Sequence, residues 1–327
     1  MTQKINLRTI LQYIVPPIIT VGLCIFLYRD MDWTEVMNGL KSCNFLLLSL
    51  FLICNVISMI ARAMRWRIQL RAMGLSPRFG EMLRSIFGTY AVNLIFPRLG
   101  EIWRCTYMSK VTSSPFSGIF GSMIADRLAD TLVIFLMSVL TFMFAAPAMA
   151  AFAAESDLAA RLTAIISSPW VIFGVFILFI FCILCIYSPA GIFVRIRQFV
   201  NKMWQGFTAL FTMERGQGLW LLLTAIIWVG YCTGMFFSLY SFPPTAALLA
   251  SNGFLCGLLA FIFGSLAMAV PSNGGIGPWQ AAVMICLCGI YGMEPTAALT
   301  FATINVAFST LLTIALGLYT FAVPARR

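Results

Sequence analysis

Histidine does not occur in this 327-residue sequence, and only 10% of its residues are charged. The absence of histidine excludes His-based acid–base catalysis and removes a common zinc ligand. The low charge lies far below the ~25% that is typical of soluble domains. Since 61% of the residues are hydrophobic, the sequence predicts an all-α polytopic membrane protein.

Acidic residues are also scarce, with 11 of them against 21 lysines and arginines, which gives a net charge of +10. The basic residues fall beside hydrophobic runs and not in one solvated patch, so nucleic acid is not an expected partner. Basic residues accumulate on the cytoplasmic side of membrane proteins. We therefore expect a multi-pass protein of the cell inner membrane, with residues 62–84, residues 195–215 and both termini in the cytoplasm.

The ten cysteines do not alter this expectation. Most of them lie inside apolar runs, as Cys182 and Cys185 do, where packing is their usual role. Neither a metal site nor a cofactor is expected. The chain is predicted to form a single integral membrane domain over residues 1–327.

Six apolar runs are long enough to cross a bilayer core of about 30 Å. A further pair, residues 245–270 and 276–291, flanks a glycine-rich break. The pattern predicts six to eight transmembrane helices with one or two re-entrant hairpins, since eight spans with one hairpin and six spans with two agree equally well with the charges. The six runs are residues 10–28, 45–61, 118–146, 170–187, 219–240 and 296–323.

A first break in the apolar sequence lies in the stretch NLIFPRLGEIWRCTYMSK, residues 93–110. The apolar run before it, Leu83–Phe96, is too short to cross the membrane, and Pro97 is expected to end its helix. The basic residues on both sides favour a hairpin that enters from the cytoplasm and returns.

Glu101 and Arg104 are one helical turn apart in this break and are expected to pair. One interpretation is an ion pair at the cytoplasmic surface. The other is a buried pair near the hairpin tip, where Arg98 or Arg104 binds a lipid phosphate through the forked donors of its guanidinium.

Asp126 and Asp130 place two carboxylates on one face of a predicted span. Like charges at this spacing repel each other unless a cation lies between them. Arg127 is one turn from Asp130, and a hairpin arginine could serve Asp126. The group either fastens the hairpin to the span or takes part directly in transport.

The second break, PSNGGIGPWQ, covers residues 271–280. Gly274, Gly275 and Gly277 allow close approach of the backbone, and a half-helix is predicted to begin near Gly277, where its amide groups favour anions. The alternative is a tight turn between two helices. No Walker lysine accompanies the glycines, so this is not a nucleotide motif.

The two breaks resemble each other. Phe87-Gly88 precedes Trp103 at the same separation as Phe263-Gly264 precedes Trp279. This predicts an inverted repeat with halves at residues 10–146 and 169–323, whose broken helices meet near the substrate site.

Three motifs carry a family resemblance: N-x3-P-R-x-G-E-x2-R at Asn93–Arg104, D-R-x2-D at Asp126–Asp130 and P-S-x-G-G-I-G at Pro271–Gly277. In these the sequence resembles the lysylphosphatidylglycerol synthase transmembrane, or flippase-like, family. The resemblance implies an inner-membrane protein of the lipid-flippase type. The family commonly has a glutamate where this chain has Gln280, and its soluble aminoacyl-transferase domain is not expected here.

Together these features predict a non-enzymatic lipid flippase. Its ligand would be an anionic phospholipid or a polyprenyl-phosphate-type lipid, bound by Arg98 and Arg104, with Glu101 and Asp126 positioning them and residues 274–277 as the opposing gate. The alternatives are a membrane-embedded transferase acting on a polyprenyl carrier and a membrane scaffold for a separate synthase. A separate synthase or a second copy of the chain would be the expected protein partner.

Overall fold

The computed structural model describes residues 33–155, 191–208 and 216–322, together with residue 25. The predicted spans at residues 10–28 and 170–187 lie outside these ranges, apart from residue 25. Within them, all regular structure is helical. The helices are α1 (Trp33–Ser42), α2 (Phe45–Ala72), α3 (Phe79–Ile95), α4 (Leu99–Thr112), α5 (Phe116–Phe144), α6 (Ala146–Glu155), α7 (Gly191–Thr208), α8 (Gln217–Ser241), α9 (Pro243–Asn252), α10 (Phe254–Ala267), α11 (Pro278–Met284) and α12 (Pro295–Ala322).

Four of these helices, α2, α5, α8 and α12, are long and apolar enough to cross a membrane. The bent pair α9 and α10 makes a fifth candidate if it counts as one span. These helices confirm an all-α polytopic membrane protein. The total number of spans and the re-entrant hairpins stay predictions, because two expected spans lie outside the described residues.

Helix α2 extends further than the sequence predicted. It was expected to end near residue 61 and continues to Ala72. Arg62 and Arg65 are therefore buried on a helix, with 5% and 0% of their surface exposed, and the cytoplasmic location of residues 62–84 stays a prediction. The helix continues because Trp66 and Leu70 extend its buried face past the arginines.

The apolar run at residues 245–270 is not one continuous helix. It bends by 119° at Gly253, between α9 and α10. Gly253 has φ 75° and ψ −168°, a conformation that residues with a side chain rarely adopt. The glycine therefore separates two short helices where the hydropathy alone predicted a single segment.

Helices of the two predicted repeat halves pack in corresponding pairs. Helix α8 packs along α2. Helix α3 packs against α12, and the corresponding contact in the other half is that of α10 with α5. Likewise α4 contacts α5 and α11 contacts α12. A two-fold repeat produces contacts of this kind, in which α2, α3, α4 and α5 correspond to α8, α10, α11 and α12. The repeat and the inverted orientation of its halves stay predictions.

A glycine–tryptophan contact also recurs. A Cβ atom on Gly88 would lie 2.3 Å from the ring of Trp103, and one on Gly264 would lie 2.5 Å from Nε1 of Trp279. In each half the tryptophan after the break thus packs directly on the glycine of the helix before it. The equal separation seen in the sequence corresponds to the same contact in both halves.

Candidate functional site

The two breaks contact each other directly. The amide of Gly274 donates to the carbonyl of Asn93 at 3.0 Å. The side-chain amide of Asn273 donates to the carbonyls of Leu94 and Ile95, at 3.1 and 3.2 Å. The guanidinium of Arg98 donates to the carbonyl of Ala269. We call these contacts the crosswise caps.

The crosswise caps satisfy backbone groups that helix ends leave without partners. The last four carbonyls of an α-helix lack intrahelical donors. Leu94 and Ile95 end α3, and Ala269 lies just after α10. Asn273 therefore completes the end of α3, and Arg98 bonds a carbonyl of the turn that follows α10.

Backbone conformation at the breaks agrees with this close approach. Arg98 has φ 62°, and Gly274, Gly275 and Gly277 have φ of 63°, 86° and 91°. A Cβ atom on Gly274 would also lie 2.5 Å from Cδ2 of Leu94. Glycine is required at that position by both its φ and the adjacent half.

One amide side chain closes each break internally. Oδ1 of Asn93 accepts from the amide of Gly100 at 2.8 Å. Oε1 of Gln280 accepts from the amide of Gly277 at 2.8 Å, and α11 begins at Pro278, as the predicted half-helix required. Gln280 thus has a structural contact at the place where the family resemblance led us to expect an acid.

Beneath the first break, α2, α4 and α5 bring together seven charged side chains. We call this set the arginine–carboxylate cluster. Its members are Arg62, Arg65, Glu101, Arg104, Asp126, Arg127 and Asp130.

Arginines of α2 hold the two aspartates of α5. Arg65 lies 2.7 Å from Oδ1 of Asp126 and 2.8 Å from Oδ1 of Asp130, and Arg62 also pairs with Asp130. Asp130 was expected to pair with Arg127, which instead pairs with Glu101. Arginines of α2 occupy the space between the two aspartates. The cation that separates these carboxylates therefore comes from another helix.

Arg104 is the least satisfied member of the cluster. It is wholly buried, and its guanidinium lies 4.5 Å from the ring centre of Trp66. Its nitrogens lie 3.5 Å from Glu101 and 3.7 Å from Asp126, which confirms both expected pairings at long range. None of its three side-chain nitrogens has a hydrogen-bond partner among the described residues. A buried guanidinium without such partners costs free energy, so an anion at this position would stabilise it.

Helix α8 supports the cluster from the second half. Arg65 lies 3.3 Å from Oγ1 of Thr224, and its guanidinium lies over the ring of Trp220 at 5.3 Å. The indole of Trp66 donates to Oγ of Ser122 at 3.1 Å. Polar and aromatic contacts therefore fix the arginines in one geometry.

The predicted site residues thus divide into two adjoining groups. Arg98 is exposed and bonded to Ala269, whereas Arg104 is buried in the cluster. The sequence missed Arg62 and Arg65. A sequence pattern could have indicated them. Arg62 is followed by Arg65, Trp66 and Gln69 after three, four and seven residues, a spacing that places all four on one face of a helix. The cluster holds Glu101, Arg104, Asp126, Arg127 and Asp130, and the breaks hold Asn93, Arg98, Gly274, Gly275, Gly277 and Gln280.

Comparison with known proteins agrees with the motifs. The family described as the lysylphosphatidylglycerol synthase TM region matches residues 13–317. The chain belongs to this family. All members of the arginine–carboxylate cluster and both breaks lie inside the stretch that the lysylphosphatidylglycerol synthase TM family covers.

One relative of the chain is the UPF0104 membrane protein PH1989 of Pyrococcus horikoshii. It is 24% identical over 131 residues, which are 39% of this chain and 38% of the relative. The match thus spans well under half of that protein, and its name states a membrane location and no activity. No solved structure matches the chain.

Proposed function

We propose that this protein moves an anionic lipid between the leaflets of the inner membrane, with both termini in the cytoplasm, and that it is not an enzyme. The observation that carries the proposal is Arg104, which is wholly buried and has no hydrogen-bond partner among the described residues. Charged residues inside membrane-spanning helices are rare, and they mark substrate or ion pathways. Family membership supports a role at the membrane.

Phosphate is the ligand that suits this arrangement. A guanidinium presents a planar fork of donors that matches phosphate oxygens. Glu101 and Asp126, on either side of Arg104, hold its side chain in place. In this proposal Arg104 contacts the lipid phosphate, and the two carboxylates position the arginine.

The crosswise caps serve as the gate. Arg98 and residues 273–274 join the halves directly at the breaks, which lie beside the N-terminal end of the helix that carries Arg104. When the caps separate, the breaks move apart and a headgroup can reach Arg104. Because Arg98 is exposed, it can also meet a phosphate before the gate opens.

The transferase alternative has less support. A polyprenyl transferase uses carboxylates to hold a metal that binds its substrate's phosphates. Asp126 and Asp130 are already held by Arg62 and Arg65. Their oxygens therefore face cations that would oppose a metal ion.

Reconstitution into liposomes tests the proposal. Fluorescent phosphatidylglycerol should cross faster with wild-type protein than in protein-free vesicles. Arg104→Gln should reduce the rate about tenfold or more, because a fork of charged donors is lost. Arg71→Gln is the matched control, since Arg71 is exposed on α2, and it should leave the rate unchanged.

A second variant separates chemistry from folding. Arg104→Lys keeps the charge and loses the fork, so it should fold as well as the wild type and still move lipid slowly. Size-exclusion elution in detergent checks the fold. If wild-type protein moves no lipid faster than empty vesicles, with or without ion gradients, the flippase proposal is wrong, and loss of a copurifying synthase in Arg104→Ala would then favour the scaffold.

A further inference from the structure

The charges of the cluster do not balance. Four guanidinium groups, those of Arg62, Arg65, Arg104 and Arg127, face three carboxylates, those of Glu101, Asp126 and Asp130. Among the described residues of the cluster, one positive charge therefore has no counter-charge.

The excess charge can be placed within the cluster. Asp126 is hydrogen-bonded by Arg65, Asp130 is paired with Arg62 and Arg65, and Glu101 is paired with Arg127. Every carboxylate thus has a close guanidinium partner that balances its charge. Within the part of the chain that the structure describes, Arg104 is left with two carboxylate contacts at long range and with no hydrogen bond.

From this we infer that the site accepts one negative charge, so that its ligand is a lipid with a phosphodiester headgroup and not a phosphomonoester. This rests on the proposed function and narrows its substrate. A phosphodiester carries one negative charge, and one such group brings the cluster to neutrality. A phosphomonoester carries about −1.5 to −2 at neutral pH and more above it, so it would leave a buried negative excess beside Glu101 and Asp126.

The outer ion pair provides a test with an internal control. Glu101 and Arg127 pair with each other, and their side chains are 21% and 37% exposed. Glu101→Gln and Arg127→Gln break the same contact, yet they change the charge of the cluster in opposite directions. A purely structural role for the pair would make both variants change lipid preference in the same direction.

The experiment measures binding of phosphatidylglycerol and phosphatidic acid to purified protein in nanodiscs of neutral lipid at pH 8. Wild-type protein should prefer phosphatidylglycerol by about tenfold, the ratio expected when one extra buried charge has no partner. Glu101→Gln should bring this ratio to about one or below, and Arg127→Gln should weaken binding of both lipids. Equal binding of both lipids by wild-type protein, or equal shifts in the two variants, would overturn the inference.

Dimethyl phosphate, a monoanionic diester without acyl chains, distinguishes a lipid from a free anion. It should compete only at concentrations far above those of the lipid. If it competes equally, the ligand is a soluble anion and the lipid assignment is wrong. The binding ratio is independent of transport, so a preserved ratio without lipid movement would refute the flippase and leave the charge inference standing.

Discussion

Asn273 donates from its side-chain amide to the carbonyl oxygen of Leu94, 179 residues earlier in the chain, at 3.1 Å. The same amide reaches Ile95 at 3.2 Å. One side chain of the second break thus completes the helix that ends at the first break. This contact, more than any single charge, joins the two halves where the proposed gate lies.

Replacing Asn273 with alanine should therefore loosen the gate. Two carbonyls at the end of α3 would lose their donor, and leaving a polar group unsatisfied costs about 1 to 3 kcal/mol. We expect a lower melting temperature in detergent and faster lipid movement. Asn252→Ala is the control, because Asn252 is exposed and its hydrogen bonds to described residues are local, to Leu248 and Ser251. Unchanged melting in Asn273→Ala would contradict a capping role.

The glycine–tryptophan contacts predict parallel effects in the two halves. Gly88→Ala and Gly264→Ala would place a methyl carbon 2.3 and 2.5 Å, respectively, from an atom of a tryptophan ring, far inside van der Waals contact. Overpacking of this kind costs about 1 to 3 kcal/mol. Both variants should unfold at lower SDS fractions in mixed micelles than the wild type.

Gly80 provides the matched control for this series. It lies on α3, the helix that carries Gly88, and a Cβ atom there would meet nothing within 4 Å. Gly80→Ala should be neutral or stabilising by about 0.5 to 1 kcal/mol, because alanine favours the helix. A loss of stability in Gly80→Ala equal to that in Gly88→Ala would show that the ring contact is not the cause.

The buried and the outer ion pairs should differ in strength. Arg65 and Asp126 have fully buried side chains, whereas those of Glu101 and Arg127 are partly exposed. Removing one partner of a buried pair costs about 3 to 5 kcal/mol, and an exposed pair contributes about 1 kcal/mol or less. Double-mutant cycles with Arg65→Gln and Asp126→Asn, compared with Glu101→Gln and Arg127→Gln, should show the larger coupling for the first pair. Equal couplings would mean that water reaches Arg65.

Arg98 allows backbone and side-chain effects to be separated. Its φ of 62° is left-handed, and a residue with a side chain pays about 1 to 2 kcal/mol for that conformation. Arg98→Gly and Arg98→Ala both remove the bond to Ala269, yet the glycine variant should be more stable by about 1 kcal/mol. The same comparison at Ser113, with φ 52°, should give a similar difference without any effect on lipid movement.

The sequence predicted correctly the local features that depend on a residue type with a well-defined structural role. Pro97 ends its helix, Gly277 precedes a half-helix, and Glu101 pairs with Arg104, all as predicted. These features depend on neighbours within a few residues, so local patterns are sufficient to find them.

The partners of the aspartates could not be found in this way. Arg65 reaches Asp126 across 61 residues, and the helical spacing that it shares with Trp66 and Gln69 indicates a common face without indicating which residue lies opposite it. Because hydropathy falls wherever an arginine occurs, it placed the end of α2 about ten residues too early. The contact of Asn273 with Leu94 was likewise invisible, since it depends on how the two halves pack.

The crosswise caps also determine how the breaks can open. Arg98 holds a carbonyl beyond α10, while Asn273 holds the carbonyls that end α3. Displacing either turn therefore removes the donors both of the carbonyls that end α3 and of the carbonyl beyond α10. The two turns should separate together or not at all, which makes the opening cooperative and leaves few half-open states in which ions could leak across the membrane.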